Sequence, residues 1–507
     1  MKRKENLCGF IYVTLSLFLM LCTIVNIICN KSWLQYAEKT QLKSIFTAGI
    51  FFCILMIMTN IWNRKNCKIP YLVVAFGIGC IQFFMILQLV SEVGWDCGAV
   101  INAALGSNPA EESNQYLSVY PNNLFLVFIY RLLFRLLRVH AVMNAYYVAA
   151  FVNLFCIQIA MYYLYSSLKM LFYENEADMG MLFFIFIFIF SPWLVIPYSD
   201  VVSMPFTAFL CYHYLKLGMQ KDQKEKKNKK VICILALVTM VGTCIKPTVF
   251  IVSIAGWFYL GIKGKREKNR AYGKRLFLFL IICLLLQVIW NGIVNTQTWY
   301  ELDQTRRMTF THYLMLGAND NRGVYTQEDC EISQNEKDVP SRQRKNMYVL
   351  RSRLKQKGIN GYLHHIWDKG CMIHSEGNFF WGGEGGMNFL NFDLSKHSVM
   401  RNMYYINGMH YDVYKYGVQG IWFVFLLVAG SGILSIGRKH TSEQMMIALA
   451  IWGIVLFNIL FEARSRYLIP FLPFYSMMFC YGVQEIQAAG RRILCRNKIC
   501  GKCKAST

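Results

Sequence analysis

Acidic side chains are scarce in this sequence, 29 Asp and Glu against 53 Lys and Arg in 507 residues, for a net charge of +24. In a soluble chain such an excess would point to nucleic acid, but no DNA- or RNA-binding motif accompanies it. A phosphate loop is also missing. The glycines at 382, 383, 385 and 386 do not make GxxxxGK[ST] and follow no soluble strand, so ATP hydrolysis is not supported. No internal repeat is visible, and low complexity is confined to residues 221–230, a solvated loop. There is no disulfide framework. Many of the 18 cysteines lie in apolar runs (Cys22, Cys29, Cys53, Cys80, Cys156, Cys211, Cys244, Cys283 and Cys480 among them), where a thiol behaves as a small apolar group. Cys495, Cys500 and Cys503 give a single CxxC in a basic tail, which reads as reduced cytoplasmic thiols rather than a metal half-site. No small-x-small cleavage site follows MKRKENLCGF, so the first apolar run is expected to stay as a span.

What is present is one apolar stretch after another. A chain with 55% hydrophobic and 15% aromatic residues is too apolar for a soluble multidomain protein. Candidate spans fall at 9–29, 43–62, 70–90, 141–169, 179–197, 201–217, 231–246, 247–262, 275–293, 415–437, 443–462 and 466–485. Basic clusters at 1–4, 64–68, 221–230, 263–274, 438–439 and 491–504 then fall on one face. Positive charge is retained on the cytoplasmic side during insertion, which fixes the orientation with both termini inside. The short basic loops also favour anionic lipid headgroups.

Residues 121–138 decide the count. On a helix, Leu126, Ile129, Leu133, Leu136 and Leu137 fall on one face and Arg131, Arg135 and Arg138 on the opposite one, the pattern of a helix lying in the interface. Counting it as a span would invert every later loop, and an Arg at mid-membrane costs roughly 2.5–3.5 kcal/mol. The expected architecture is therefore an all-α polytopic membrane protein with about twelve transmembrane helices, an interfacial amphipathic helix and a small exoplasmic subdomain. By segment, residues 1–293 form an N-terminal transmembrane module with a first outer loop at 91–140. Residues 294–414 form the exoplasmic subdomain, 415–485 the C-terminal transmembrane helices and 486–507 a basic cytoplasmic tail. Only Cys97, Cys330 and Cys371 among the cysteines fall in the outer loops.

With so few carboxylates, those at the outer rim carry weight. Asp96, between Gly94-Trp95 and Cys97-Gly98 just after a span, is a candidate general base for an acceptor hydroxyl, or else a cap of the following helix. Asp200 closes Pro197-Tyr198-Ser199-Asp200 and either positions an acceptor or caps the helix at Val201. Lys246, Arg464 and Arg466 lie at the same depth; cations there suit a lipid-phosphate leaving group, or else pair internally, for instance Glu462 with Arg464 or Arg466. In 294–414, Thr311-His312-Tyr313 and Gly377-Asn378-Phe379-Phe380-Trp381-Gly382-Gly383-Glu384 join aromatic rings to hydrogen-bonding groups, as sugar recognition needs. His364 and His365 are adjacent and point to different sides of a helix, so a metal shared with His312 and His374 is not expected.

These residues together resemble a known pattern. The loop bearing Asp96, Tyr116 with Tyr120-Pro121-Asn122-Asn123 opening an interfacial helix, Tyr198-Ser199-Asp200 and Lys246-Pro247-Thr248 resemble the GT-C glycosyltransferases. The nearest branch is the bacterial relatives of protein O-mannosyltransferases that use polyprenyl-phosphate sugars. Thr311-His312-Tyr313, Phe379-Phe380-Trp381-Gly382 and the closing Glu462…Arg466-Tyr467-Leu468-Ile469-Pro470 also fit, so the likeness covers about residues 70–485. The resemblance implies an inverting transferase with no required cofactor and no nucleotide sugar, metal-independent or metal-optional. It gives Asp96 the role of base, and Lys246, Arg464 and Arg466 the lipid phosphate. Asp200, Tyr198, Tyr120, Asn122, Asn123, His312, Trp381 and Glu384 are the expected acceptor or sugar contacts. The expected partners are a polyprenyl-phosphate sugar donor, a glycan, glycolipid or protein acceptor and membrane lipids, with no nucleic acid, at an extracellular active site in the plasma membrane. A lipid-linked-sugar flippase or transporter is the alternative; it would need charges at mid-membrane and inverted repeats. An inactive scaffold of the same fold is a further one.

Overall fold

The computed structural model of the protein describes residues 2–32, 36–64, 70–220, 225–264, 270–381, 389–390 and 398–504. The described chain is helical almost throughout. In order the helices are α1 (Lys2–Cys29), α2 (Glu38–Arg64), α3 (Tyr71–Leu89), α4 (Trp95–Leu105), α5 (Ala110–Val119), α6 (Leu124–Leu136), α7 (Val142–Leu171), α8 (Glu174–Phe184), α9 (Ser199–Met219) and α10 (Glu225–Ile245). They continue with α11 (Phe250–Gly264), α12 (Arg270–Thr296), α13 (Phe310–Gly317), α14 (Gln327–Gln334), α15 (Val339–Ile373), α16 (Val399–Tyr404), α17 (Tyr411–Gly430), α18 (Ser442–Leu460) and α19 (Leu472–Lys504). The only strands among the described residues are β1 (Glu92–Val93) and β2 (Phe389–Leu390), paired antiparallel.

Among the described residues, seven helices are long and apolar enough to cross a membrane: Asn6–Cys29, Glu38–Thr59, Tyr71–Leu89, Val142–Leu171, Tyr272–Thr296, Tyr411–Ser435 and Ser442–Leu460. The protein is a multi-pass, all-α membrane protein. The other five apolar stretches are helical as well, but they do not meet that test. α9 carries Ser203, Pro205, Thr207, His213 and Lys216, and packs against α7, α10 and α11. A helix enclosed by other helices needs no lipid-facing apolar surface, so polar residues survive in it. The stretch at 179–197 is broken instead, α8 giving way to a π turn at Ile185–Ile189 and a 3-10 turn at Pro192–Val195. The 247–262 stretch is a short apolar helix, Pro247–Lys263, joined to α10 through extended Lys246.

The amphipathic helix is present, at a bend: α5 and the Pro121–Leu136 segment meet at 105°. Only part of the apolar face read from sequence packs on protein. Leu126, Val127, Tyr130 and Phe134 are buried, whereas Leu136 and Leu137 are exposed, and half-buried Arg131 and exposed Arg135 both lie over Trp299, at 5.3 Å and 5.2 Å. Sequence periodicity separates apolar from polar but cannot tell a protein-facing leucine from a lipid-facing one.

Contacts between helix ends show how the chain runs. The start of α1 meets the start of α18 (Cys8 Sγ to Met445 Sδ, 3.7 Å), and Lys263–Glu443 (2.6 Å) and Arg438–Glu485 (2.5 Å) lie at the same end, beside the basic segments. The end of α1 meets α15 instead through Lys31–Asp368 (2.9 Å). The first and last turns carrying residues 95–96, 198–200, 246 and 462–467 gather at this second end. Within 294–414, α13, α14 and α15 pack on one another, and Val119, Met308 and Cys330 form a small apolar cluster that docks this stretch on the end of α5. α15 is interrupted at Gly358, whose φ of 59° and ψ of −176° are open to glycine alone at little cost.

Candidate active site

The site is built from four chain reversals at one end of the bundle. The first follows α3. β1 leads through Gly94 into Trp95, which takes a φ of 49°, unusual for a bulky residue, and α4 begins. Gly98 lies against Val93 O so closely that a Cβ there would collide with it, which holds the turn tight and aims Asp96 inward. Asp96 caps no helix. Its Oδ1 accepts from Tyr116 Oη (3.0 Å) and its Oδ2 from Tyr198 Oη (3.0 Å), and Asn123 Nδ2 donates to Tyr116 Oη at 2.6 Å. Burial pushes the Asp96 carboxyl above the usual range; the Arg466 charge and the two phenol hydrogen bonds act against this without cancelling it.

The second, third and fourth reversals meet at Asp200. It lies in the first turn of α9 but does not cap it; the helix starts from Tyr198 with no side-chain cap. Instead, Asp200 Oδ1 accepts from Lys246 Nζ (2.5 Å) and Oδ2 from Arg466 Nη1 (2.8 Å). All three side chains are buried. Arg466 is enclosed by the rings of Trp95 (4.9 Å), Tyr198 (5.0 Å) and Tyr467 (5.2 Å), and Lys246 Nζ lies 4.4 Å over Tyr467. Arg464 turns elsewhere, its Nε donating to Glu462 Oε1 (2.9 Å), while Tyr467 Oη donates to Glu462 Oε2 (2.9 Å). The two carboxylates and two cations thus share one sealed rim, with Glu462–Arg464 beside it. Among the described residues, no group of three or more His, Cys, Asp or Glu side chains is placed to hold a metal ion.

Residues 3–486 match the model of a family described as a conserved hypothetical integral membrane protein. The chain belongs to that family. No curated protein matches it. Among solved structures, the crystal structure of ArnT from Cupriavidus metallidurans bound to undecaprenyl phosphate is similar at 11% identity, over 83% of this chain and 79% of that one. The TM-score of 0.33 is too low to establish a common fold.

The remaining expected contacts of this family member divide. Tyr120 stands beside Tyr116, ring centroids 5.5 Å apart, and its hydroxyl is 3.8 Å from Cys330 Sγ. Asn122 is exposed and donates to Asn123 Oδ1 (3.3 Å). His312 is buried, bonded through Nδ1 to Ser333 Oγ (2.8 Å), and burial lowers its pKa to about 4, so it is neutral. Trp381 is fully buried against Trp193, its indole N–H donating to Tyr404 O (2.7 Å); a sealed ring offers no face to a sugar. Glu384 lies outside the described residues. His364, His365 and His374 have separate partners in Asp368, Gly317 O and Tyr475 Oη.

Two features of the site had only a weak signal in sequence. Tyr467 follows Arg466 directly, and nothing but that adjacency marks it as a shelf for Lys246. Lys369, in the last turns of α15, is fully buried and donates to Gly317 O (2.6 Å) and Phe461 O (2.7 Å), tying α13 to the segment that carries Glu462. Gly317 itself lies against Leu460 O, with no room for a side chain. Burial lowers the Lys369 pKa to about 7. Between that value and the unfolded lysine value, near 10.4, the unfolded chain binds the extra proton, so this group makes stability rise with pH by up to about 1.4 kcal/mol per unit. The difference between wild type and Lys369→Met in unfolding free energy, followed from pH 7 to 10, should show that slope; a flat difference would remove Lys369 as a desolvated amine.

Proposed function

We propose that the protein is an inverting glycosyltransferase that moves a sugar from a polyprenyl-phosphate donor to an acceptor hydroxyl at the outer face of the plasma membrane. The observation that carries the reading is the juxtaposition of a buried carboxylate held by two phenols with a lysine–arginine pair enclosed in aromatic rings. A base for the nucleophile and a cationic seat for a phosphate leaving group are the two things such a transfer requires.

Asp96 accepts the proton of the acceptor hydroxyl as its oxygen attacks the anomeric carbon. Tyr116 and Tyr198 fix the carboxylate, and its desolvated setting raises its basicity. The bond from the anomeric carbon to the phosphate oxygen breaks, and its electrons leave with the lipid phosphate. Lys246 and Arg466 share Asp200 as their resident carboxylate, and as Asp96 takes up the acceptor's proton its negative charge is lost, so the surplus positive charge appears as the phosphate departs. Asp200 therefore sets the geometry of the cations, with both its oxygens engaged, rather than gripping the acceptor. Tyr120, Asn122, Asn123 and the 294–414 segment border the acceptor's approach. Basic segments at the other end of the bundle support a cytoplasmic location for that end and for both termini. No cofactor is required by this scheme.

The test is direct. Full-length protein in lipid nanodiscs, given a polyprenyl-phosphate hexose and a mixed hydroxyl-acceptor fraction from cell envelope, should release polyprenyl phosphate in proportion to sugar transferred. A protein that carries the intact donor between leaflets without cleaving it would be a flippase, and the proposal would fail. The pH profile tests the base separately. Because the Asp96 carboxyl is raised by burial, the acid limb of kcat/KM should lie above the ordinary aspartate value near 3.9. Tyr116→Phe removes a hydrogen bond that favours the ionised form, so the limb should move further up. A limb at the ordinary value in both proteins would exclude Asp96 from proton transfer.

A further inference from the structure

We propose that the outward face of the first half of α15, at residues 344–355, is a docking surface for the anionic chain of the acceptor, a linear phosphodiester polymer whose end presents the attacking hydroxyl. The inference rests on the transfer proposed above and adds the acceptor class.

Charge is the first argument. Residues 339–358 contain no acidic side chain. Three of their basic side chains are engaged with the rest of the 294–414 segment: Arg342 donates to Ser333 O (2.7 Å) and Thr305 O (2.7 Å), Arg353 pairs with Asp329 (2.5 Å) and Lys357 with Asp320. The other four, Arg344, Lys345, Arg351 and Lys355, are exposed, and among the described residues none of them forms an ion pair. Arg344 donates to Ser341 Oγ (3.1 Å), and its charge reaches Asp338, the exposed N-cap. At 3.6 residues per turn Arg344, Tyr348, Arg351 and Lys355 fall within an arc of about 60°, a stripe about 16 Å long with Lys345 beside it. Solvated helix faces mix both signs, and like charges at i and i+4, as in Arg351 and Lys355, disfavour a helix. A row of phosphates along the stripe removes that repulsion, and the arginine forks match phosphate oxygens in pairs.

Place is the second argument. The break at Gly358 is where the exposed surface of α15 changes from basic to apolar. Beyond it Ile359 and Leu363 are exposed, and that half of the helix runs on to α1 and α18. The stripe therefore lies on the water side of the break. Its exposed side chains include no Leu, Ile, Val, Met or Phe, which a helix lying on a bilayer needs, so a polymer in solution is favoured over lipid headgroups.

Reach is the third. On its inner side α15 holds α13, Arg353 Nη1 donating to Met315 O (2.8 Å) and Asn346 Nδ2 to Thr311 Oγ1 (3.4 Å). Tyr313 of α13 and Tyr120 both pack on the cluster of Val119, Met308 and Cys330, and Tyr120 stands against Tyr116, the partner of Asp96. One helix separates the stripe from the base, which is too far for a single sugar and within reach of a chain.

Full-length protein in nanodiscs of zwitterionic phosphatidylcholine is titrated with fluorescein-labelled poly(glycerol phosphate), and with labelled dextran as the neutral polymer. Wild type should bind the first and not the second. Arg344→Gln/Arg351→Gln/Lys355→Gln, three exposed changes, should weaken binding by about tenfold or more at low salt and flatten the slope of log Kd against log salt by about two to three. Lys229→Gln/Lys230→Gln/Lys274→Gln, at the other end of the bundle, should leave the affinity unchanged. Equal losses in the two variants, or none in the first, overturn the proposal. So does amide exchange over 344–355 that slows when phosphatidylglycerol is added to the disc and not when polymer is added, which would assign the stripe to the bilayer. Transfer is read separately: with a phosphodiester acceptor the first variant should raise KM with kcat retained, and with a neutral acceptor it should change neither. Polymer binding at the stripe without turnover would keep this surface and remove the transferase; turnover with the same KM in wild type and variant would do the reverse.

Discussion

Asp200→Asn should be among the most destabilising single changes in the protein, costing about 3–5 kcal/mol, because it strands two buried cations on a neutral amide. Asp200 is 1% exposed, Lys246 6% and Arg466 5%, so water cannot replace the lost charge. Removing a cation together with the carboxylate should be milder: Asp200→Asn with Lys246→Met leaves one cation, Arg466, still enclosed by three rings, and its cost should fall well short of the two single costs combined. The same variant also reports on the phosphate seat. With Asp200 neutralised, Lys246 and Arg466 lose the carboxylate that both hydrogen-bond, and a phosphate-bearing lipid should restore more stability to Asp200→Asn than it adds to wild type. Thermal unfolding in detergent with and without polyprenyl phosphate measures both effects. Additive costs would mean that the three groups do not act as one unit, and a lipid effect no larger in Asp200→Asn than in wild type would separate the cations from phosphate binding.

Much of this was legible in the sequence, for a definite reason. A charge between two apolar runs is expensive unless paired. Lys246, Asp200 and Arg466 each interrupt such runs, and so each signals a partner at the same depth before any coordinates are known. Helix ends at a membrane rim are also few, which is why Asp96 and Tyr198, 102 residues apart, meet in a 3.0 Å hydrogen bond. What the pattern could not supply was the pairing. That Arg464 turns to Glu462 while Arg466 turns to Asp200 depends on the backbone twist of one short strap, and both arginines look equivalent in the sequence. Trp381 misled for a related reason: an aromatic in a glycine-rich polar stretch suits a ligand platform or a packed turn equally, and here its N–H satisfies Tyr404 O within the core. The 201–217 stretch, read as a span from sequence, becomes α9, whose polar residues keep it below the hydropathy of a lipid-facing span, since the hydropathy of a helix enclosed by protein is not constrained by lipid.

Asp96→Asn should have the opposite character to Asp200→Asn, a fold left intact and turnover lowered by about two to four orders of magnitude. Burial already disfavours the ionised form of this carboxyl, so the fold gains little from its charge. An amide of the same shape can still accept from one of the two phenols at its remaining carbonyl oxygen, and stability should change little or rise slightly at neutral pH. Catalysis has no such tolerance, because the amide cannot take the acceptor's proton in the pH range of the reaction. The loss should appear in kcat, with donor affinity near that of wild type, since the phosphate seat at Lys246 and Arg466 is untouched. An Arg466→Met variant should show the converse, a large loss of donor binding, and the Asp96 acid limb should move upward as its stabilising charge is removed. Turnover of Asp96→Asn at the wild-type rate, measured on protein shown to be folded, would leave the buried carboxylate without a chemical role and return the site to a purely structural ion network.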